Sequence, residues 1–259
     1  IYLAKTLASK QDRIQDFKGA LKKLFLPIGL IFVLVATQNL STAMLILFSS
    51  VAILIVGKVP MKFLVWLTTI SVCLLAMILY IGSMYPNSLF KRVSVWENRL
   101  TNYYADENKL NAANLKQIDL VQLAIANGGW IGVGPGNSLL RNFLPEANSD
   151  FVFAIIAEEY GSIIAMIIIA VYIILLLRVA RIVVKSSKAF CAMLAIGLGL
   201  NIIIQALVNI SVNLKVFPVT GLTLPFISVG GSALLFNLIS MGIILSTSKF
   251  VEKTSVAKS

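Results

Sequence analysis

The sequence predicts an all-α fold: a polytopic bundle of transmembrane helices with one long outer loop and a broken-helix segment before the last span. Three observations point there. The 259 residues are 58% hydrophobic and only 13% charged, with a mean hydropathy of +0.91, whereas a soluble chain of that length needs far more polar surface. Apolar runs of about 20 residues, the length that crosses a bilayer, recur along the chain. Basic residues gather between those runs, where they set orientation.

In chain order, residues 1–8 read as half a span leading into a charged loop. No signal-peptide pattern precedes them, and a longer N-terminal part is expected ahead of Ile1. Block 24–57 is too long for one untilted helix and short for two. Its middle, "ATQNLSTAM", offers Gln38, Asn39, Ser41 and Thr42 as a tight turn, and charge favours this hairpin. With it, loops 9–23, 57–62 and 178–188 and the C-terminal tail share one side. They carry Lys10, Arg13, Lys18, Lys22 and Lys23, then Lys58 and Lys62, then Arg178, Arg181, Lys185 and Lys188, then Lys249, Lys253 and Lys258. The positive-inside rule makes that side cytoplasmic. Further spans are expected at 62–85, 151–177, 189–213 and 229–248.

Residues 86–150 then form the outer loop of a single membrane domain, 1–259. Within it 115–127 places Leu115, Ile118, Val121 and Ile125 at helical spacing, the pattern of an amphipathic helix at the membrane surface or packed on the bundle. "GGWIGVGPGNS", Gly128 to Ser138, follows. Its G-x-G core lacks the preceding strand of a dinucleotide site. It reads instead as an irregular loop of close backbone approach, whose amides could hold an anion.

The chain has no histidine, which excludes a His base, a His triad and His metal ligands here. Cys73 and Cys191 lie in apolar runs and read as packing residues. The net charge of +11 sits between apolar blocks and implies topology rather than nucleic acid. Of the eleven acids, four crowd one span's mouth, in "FLPEANSDFVFAIIAEEYG": Glu146, Asp150, Glu158 and Glu159. Asn148-Ser149-Asp150 has the form of a helix start, so Asp150 reads equally as a capping residue and as a general base near the headgroup level. Glu158 and Glu159 lie roughly 12 Å deeper at 1.5 Å per residue, where ionisable groups are functional or paired. In "QALVNISVNLKVFPVTGLTLPFISVGGS", Gln205 and Asn209 share a helix face. Pro218, Gly221, Pro225, Gly230 and Gly231 then break the helix, which is tolerated at membrane depth only where backbone is protein-buried or lines a wet cavity. Thr220, Thr223 and Ser228 offer hydroxyls there.

These strings, with "QNLSTAMLIL", resemble the SEDS family of bacterial peptidoglycan polymerases, FtsW and RodA, in order and spacing over essentially the whole chain. The GW and GPGNS wording is nearer the division branch, FtsW. The resemblance implies a ten-span glycosyltransferase, matched here from the end of the fourth span onward. It would join lipid II units into glycan strands on the outer face of the cytoplasmic membrane and release undecaprenyl pyrophosphate. It would act beside a class B penicillin-binding protein and other divisome or elongasome proteins. It places the catalytic aspartate at Asp150. The candidate substrate-binding residues are Arg92, Gln122, Asn137, Ser138, Glu146, Gln205, Asn209, Thr220 and Ser228. Charge developing on pyrophosphate calls for cations, with Arg92, Lys116 and Arg141 as loop candidates, or for a divalent ion such as Mg or Mn. No dense carboxylate cage for such an ion is visible in the sequence. Asn39 and Ser41 stand where the family has Asp and Gly, and Val229 and Ala233 where it has Tyr and Ser. Two other readings compete: a lipid II flippase or other lipid-linked substrate transporter, and a scaffold that recruits the transpeptidase.

Overall fold

The structure, a computed structural model, describes residues 1–9, 21–84, 112–143 and 147–256. Its helices are α1 (Tyr2–Ser9), α2 (Leu26–Ala36), α3 (Leu40–Val56), α4 (Met61–Met84), α5 (Ala112–Gly128), α6 (Leu140–Phe143), α7 (Val152–Lys185), α8 (Ala189–Asn213) and α9 (Gly231–Val256). A π-helical turn, Leu21–Phe25, leads into α2. No strand occurs among the described residues. Helices α7, α8 and α9 are long and apolar enough to cross a membrane. The chain divides into two compact units, 1–95 with 176–201 and 239–259, and 96–175 with 202–238.

In the first unit, block 24–57 is the hairpin that the charge pattern favoured. Pro27 starts α2, where its missing N–H costs nothing. Gln38 and Asn39 turn the chain, and Asn39 accepts the Thr42 amide at 3.3 Å to cap α3. The end of α3 is a Schellman motif: the Val59 amide donates to the Leu54 carbonyl and the Lys58 amide to that of Ile55, with Lys58 left-handed at φ 55°. The core cluster is apolar, with Leu7, Leu24, Phe32, Leu54 and Met193 almost fully buried. Among the described residues, the buried polar side chains of this unit are the hydroxyls of Ser41, Ser50, Ser71 and Thr247. Small residues permit close approach: a Cβ at Gly197 would meet Ile53 Cδ1 at 2.5 Å, and one at Gly57 would meet Leu7 at 3.1 Å.

The second unit is held together differently. Phe153, Ala157, Tyr172, Ala206, Ile210 and Leu224 pack in one cluster, and Val121, Ala124, Phe151, Ala154 and Val212 in another. The same unit buries carboxylate and amide side chains as well as hydroxyls: Glu158, Glu159, Ser138, Asn209, Asn213 and Ser228. The expected amphipathic segment is α5, which buries Val121 and Ala124 and exposes Gln122 and Leu123. The expected break falls at 214–230, between α8 and α9. Helix α8 ends in a second Schellman motif, with Lys215 left-handed at φ 59° and the Val216 amide on the Ser211 carbonyl at 2.8 Å.

Candidate functional site

The site is built from a ladder of amides on one face of α8. Gln205, Asn209 and Asn213 recur every four residues and so lie one above another. Gln205 Nε2 donates to the Thr223 carbonyl at 3.0 Å and to its hydroxyl at 3.3 Å. Asn209 Nδ2 donates to the Leu222 carbonyl at 2.7 Å and to the Asp150 carbonyl at 2.9 Å. Asn213 Nδ2 reaches the same Asp150 carbonyl at 3.2 Å, and its Oδ1 accepts the Ala154 amide at 3.2 Å, in the first turn of α7. Asn209 and Asn213 are 1% and 0% exposed. Such groups survive burial only with partners. Here the partners are main-chain groups of the acidic turn, the first turn of α7 and the broken segment, together with Asn209 itself, whose carbonyl accepts Asn213 Nδ2 at 2.9 Å.

The broken segment closes on the same turn from the other side. Ser228 Oγ donates to the Ser149 carbonyl at 2.6 Å and accepts the Leu224 amide at 2.8 Å. The Val229 amide donates to the Asn148 carbonyl at 3.1 Å. Tyr172 donates its hydroxyl to the Pro225 carbonyl at 2.5 Å. Next to it Phe226 is left-handed at φ 68°, a conformation that a bulky residue keeps only when its surroundings impose it. Three consecutive carbonyls, of Asn148, Ser149 and Asp150, are therefore all occupied. The half-buried Asp150 carboxylate accepts Ser149 Oγ at 3.1 Å through Oδ1. Its Oδ2 faces Gly221, where an added Cβ would stand 3.7 Å away. Beside Gly221, the Thr220 hydroxyl is buried with no hydrogen-bond partner.

A second constellation surrounds Glu158, 1% exposed on α7. Its carboxylate accepts the Ser138 hydroxyl at 2.5 Å, the Leu139 amide at 3.2 Å and Asn127 Nδ2 at 3.4 Å. The glycine-rich loop is laid along the helix here. Val133 and Gly134 donate their amides to the Glu158 and Glu159 carbonyls, both at 3.0 Å, and Ser162 donates to the Gly129 carbonyl through N and Oγ. Those carbonyls are free because Gly161, at φ 82° and ψ 170°, interrupts α7. A side chain at Gly128, Gly132 or Gly161 would collide with the opposing main chain. The expectation of close backbone approach to a helix is met. The amides of Gly129, Gly132, Val133, Gly134, Asn137 and Leu139 are consumed within the fold, which removes most of the donors for the anion cradle that the sequence suggested.

The sequence-derived residues thus fall into groups. Asp150, Gln205, Asn209, Thr220 and Ser228 meet around the broken segment. Ser138 is spent on Glu158, and Asn137 Nδ2 on the Val133 carbonyl at 3.1 Å. Gln122 and Arg141 are exposed on α5 and α6. Arg92 and Glu146 lie outside the described residues. A cleft of about 280 Å³ is lined by Leu120, Leu123, Leu139 and Phe143 together with Asn127 and Glu158. Among the described residues no three His, Cys, Asp or Glu side chains converge to hold a metal. Sequence reasoning missed Asn213, although its place four residues beyond Asn209 was a signal, and missed the Ser138–Glu158 pairing, for which no local signal exists.

Long apolar helices, a helix broken at Pro and Gly, and an acidic turn fixed by buried amides define a polytopic membrane protein with a polar site built into interrupted helices. Residues 1–253 match the family model FTSW_RODA_SPOVE, described as cell cycle protein, and the chain belongs to that family. It is 34% identical over 250 residues to a probable peptidoglycan glycosyltransferase FtsW of Coxiella burnetii, covering 95% of this chain and 64% of that protein. It is 29% identical over 255 residues to stage V sporulation protein E of Bacillus subtilis, covering 96% and 65%. A chain from a peptidoglycan synthase complex, solved to explain how polymerization and crosslinking are coordinated, superposes with a TM-score of 0.68 at 25% identity, covering 96% of this chain and 66% of that one. The chain thus spans less than two thirds of the length of these curated relatives.

Proposed function

We propose that the complete protein is a peptidoglycan glycosyltransferase of the division branch, which joins lipid II units into glycan strands with Asp150 as its general base. The observation that carries this is the way Asp150 is held: side chains and an amide grip three consecutive main-chain carbonyls of its turn, which sets the position of a carboxylate that accepts Ser149 Oγ and stays partly exposed. A sugar hydroxyl arriving there attacks the anomeric carbon of the lipid-linked partner. A C–O bond forms, the bond to the pyrophosphate oxygen breaks, and the hydroxyl proton passes to Asp150. The leaving group departs as undecaprenyl pyrophosphate and needs no second carboxylic acid, unlike the leaving group in glycoside hydrolysis. The Thr220 hydroxyl, next in sequence to the Gly221 that faces the carboxylate, is a candidate substrate contact, and Gln205, Asn209 and Ser228 hold the backbone of the broken segment and the acidic turn. Arg92, Lys116 and Arg141 stay the outer-loop cations that this reading assigns to the pyrophosphate from the sequence.

The reading sets residues 86–150 on the outer face of the bacterial cytoplasmic membrane. It gives the protein a class B penicillin-binding protein as partner, supported by the likeness to a chain of a synthase complex that couples polymerization to crosslinking. The curated relatives named as probable glycosyltransferases support the chemistry. The test is Asp150→Asn in the complete protein, with lipid II polymer resolved on a gel. Synthesis is expected to fall by about 10²–10⁴-fold, the usual worth of a general base, with the thermal transition unchanged. Near-normal polymer would refute the assignment. Transfer of labelled lipid II across vesicles that survives the substitution would favour a transporter instead.

A further inference from the structure

We propose that Trp130 and Ile131 form a membrane-interface anchor, seated at the boundary between lipid headgroups and acyl chains. The two side chains are 70% and 84% exposed, yet their backbone has no freedom to withdraw them. The Gly129 carbonyl is taken by the Ser162 amide at 2.9 Å, and the Val133 and Gly134 amides are bound to α7. A Cβ at Gly161 would strike the Trp130 carbonyl, so loop and helix are in backbone contact at this point. A rigidly displayed apolar pair of this kind marks an interaction surface.

The occupant follows from position along α7. From Ser162, just past the interruption at Gly161, to Leu177 the helix carries no charge over 16 residues, about 24 Å at 1.5 Å per residue and most of the thickness of a bilayer's hydrocarbon. The loop joins the helix where that run begins. Beyond it the exposed Ile163, Ile164, Met166 and Ile167 present a lipid-facing surface, and Trp130 and Ile131 continue that surface to its edge. Tryptophan prefers this depth, because its ring is apolar and its N–H needs a polar partner. One consequence rests on the Asp150 reading: the acidic turn precedes the interruption at Gly161 and the uncharged run follows it, so the anchor keeps the carboxylate on the headgroup side of that run.

The full chain and its Trp130→Phe variant are compared in phosphatidylglycerol vesicles brominated either near the headgroup or near the bilayer centre. The fluorescence lost in the variant is the signal of Trp130. It is expected to be quenched most by the shallow bromines and little by aqueous iodide. Quenching by iodide alone, or by neither agent because another protein segment covers the loop, would overturn the proposal. For the consequence, Trp130→Ser/Ile131→Ser is expected to raise KM for lipid II by about tenfold, the equivalent of 1.4 kcal/mol, with kcat kept. A fall in kcat alone would overturn it. If Asp150→Asn keeps its activity, the general-base reading fails while the fluorescence result stands or falls separately.

Discussion

Asp150 and Glu158 open the same helix, two turns apart, and the protein treats them in opposite ways. Glu158 spends its side chain: both oxygens are taken by Ser138, Leu139 and Asn127, and the carboxylate is sealed at 1% exposure. Asp150 spends chiefly its main chain: Asn209 and Asn213 grip its carbonyl, Ser228 and Val229 grip the two carbonyls before it, and the carboxylate, which accepts Ser149 Oγ, belongs to a residue that stays partly exposed. Both acids are held, Glu158 through its side chain and Asp150 chiefly through its main chain, and the proposed role of general base falls on the one whose residue is partly exposed. A buried acid is therefore no sign of chemistry in itself. What separates a working carboxylate from a structural one is which of its atoms the fold has used.

The largest effects should fall on the two acids and should be opposite in kind. Asp150→Asn removes turnover and leaves stability alone. Glu158→Gln is nearly isosteric, but it turns one acceptor into a donor facing Ser138 and Asn127. It should cost about 1–3 kcal/mol of stability, the penalty for unsatisfied buried polar groups. Thermal unfolding in detergent would show the loss, and activity per folded molecule should be retained. A Glu158→Gln protein with a normal transition and no polymer would erase the distinction between the two sites.

The difference between the acids could not be read from the sequence, although much around them could. The helices follow from apolar runs, the 37–39 turn from Gln38 and Asn39, the break at 214–230 from Pro218, Gly221 and Pro225, and the tight loop from its glycines. Each of these signals is local. Ser138 lies 20 residues from Glu158, Asn213 lies 63 from Asp150, and Ser228 lies 79 from Ser149. Sequence spacing says nothing about partners that only the packed helices bring together. Gln205 and Asn209 were legible as a shared face because four-residue spacing is itself a local signal. The same logic extended by one step would have reached Asn213.

A smaller effect is expected there. Asn213→Ala leaves Asn209 on the Asp150 carbonyl but strips the Ala154 amide of its side-chain acceptor, at a cost of about 1 kcal/mol. The more telling change is kinetic. With one grip gone the carboxylate is less exactly aimed, and an ångström of misplacement can cost about 10²-fold. A fall in kcat by about tenfold, with KM for lipid II held, would be the mark of a residue that positions the base. Equal kcat in the variant would reduce Asn213 to a helix-start partner.

The mildest substitution sharpens the comparison most, because it bears on the hydroxyl of Thr220, next in sequence to Gly221 and, among the described residues, buried without a hydrogen-bond partner. Thr220→Val keeps the shape and removes the Oγ1 that lacks a partner. Stability should hold or rise slightly, since replacing an unsatisfied polar atom by an apolar one of the same shape removes a desolvation cost. If the hydroxyl exists to meet substrate, activity should fall even so, by the worth of one hydrogen bond, about 0.5–1.5 kcal/mol or up to roughly tenfold in kcat/KM. Thr220→Ser, which keeps the oxygen, should restore it. A valine variant that is both more stable and fully active would make the orphan hydroxyl an imperfection of packing and leave Asp150 without a neighbouring contact for substrate.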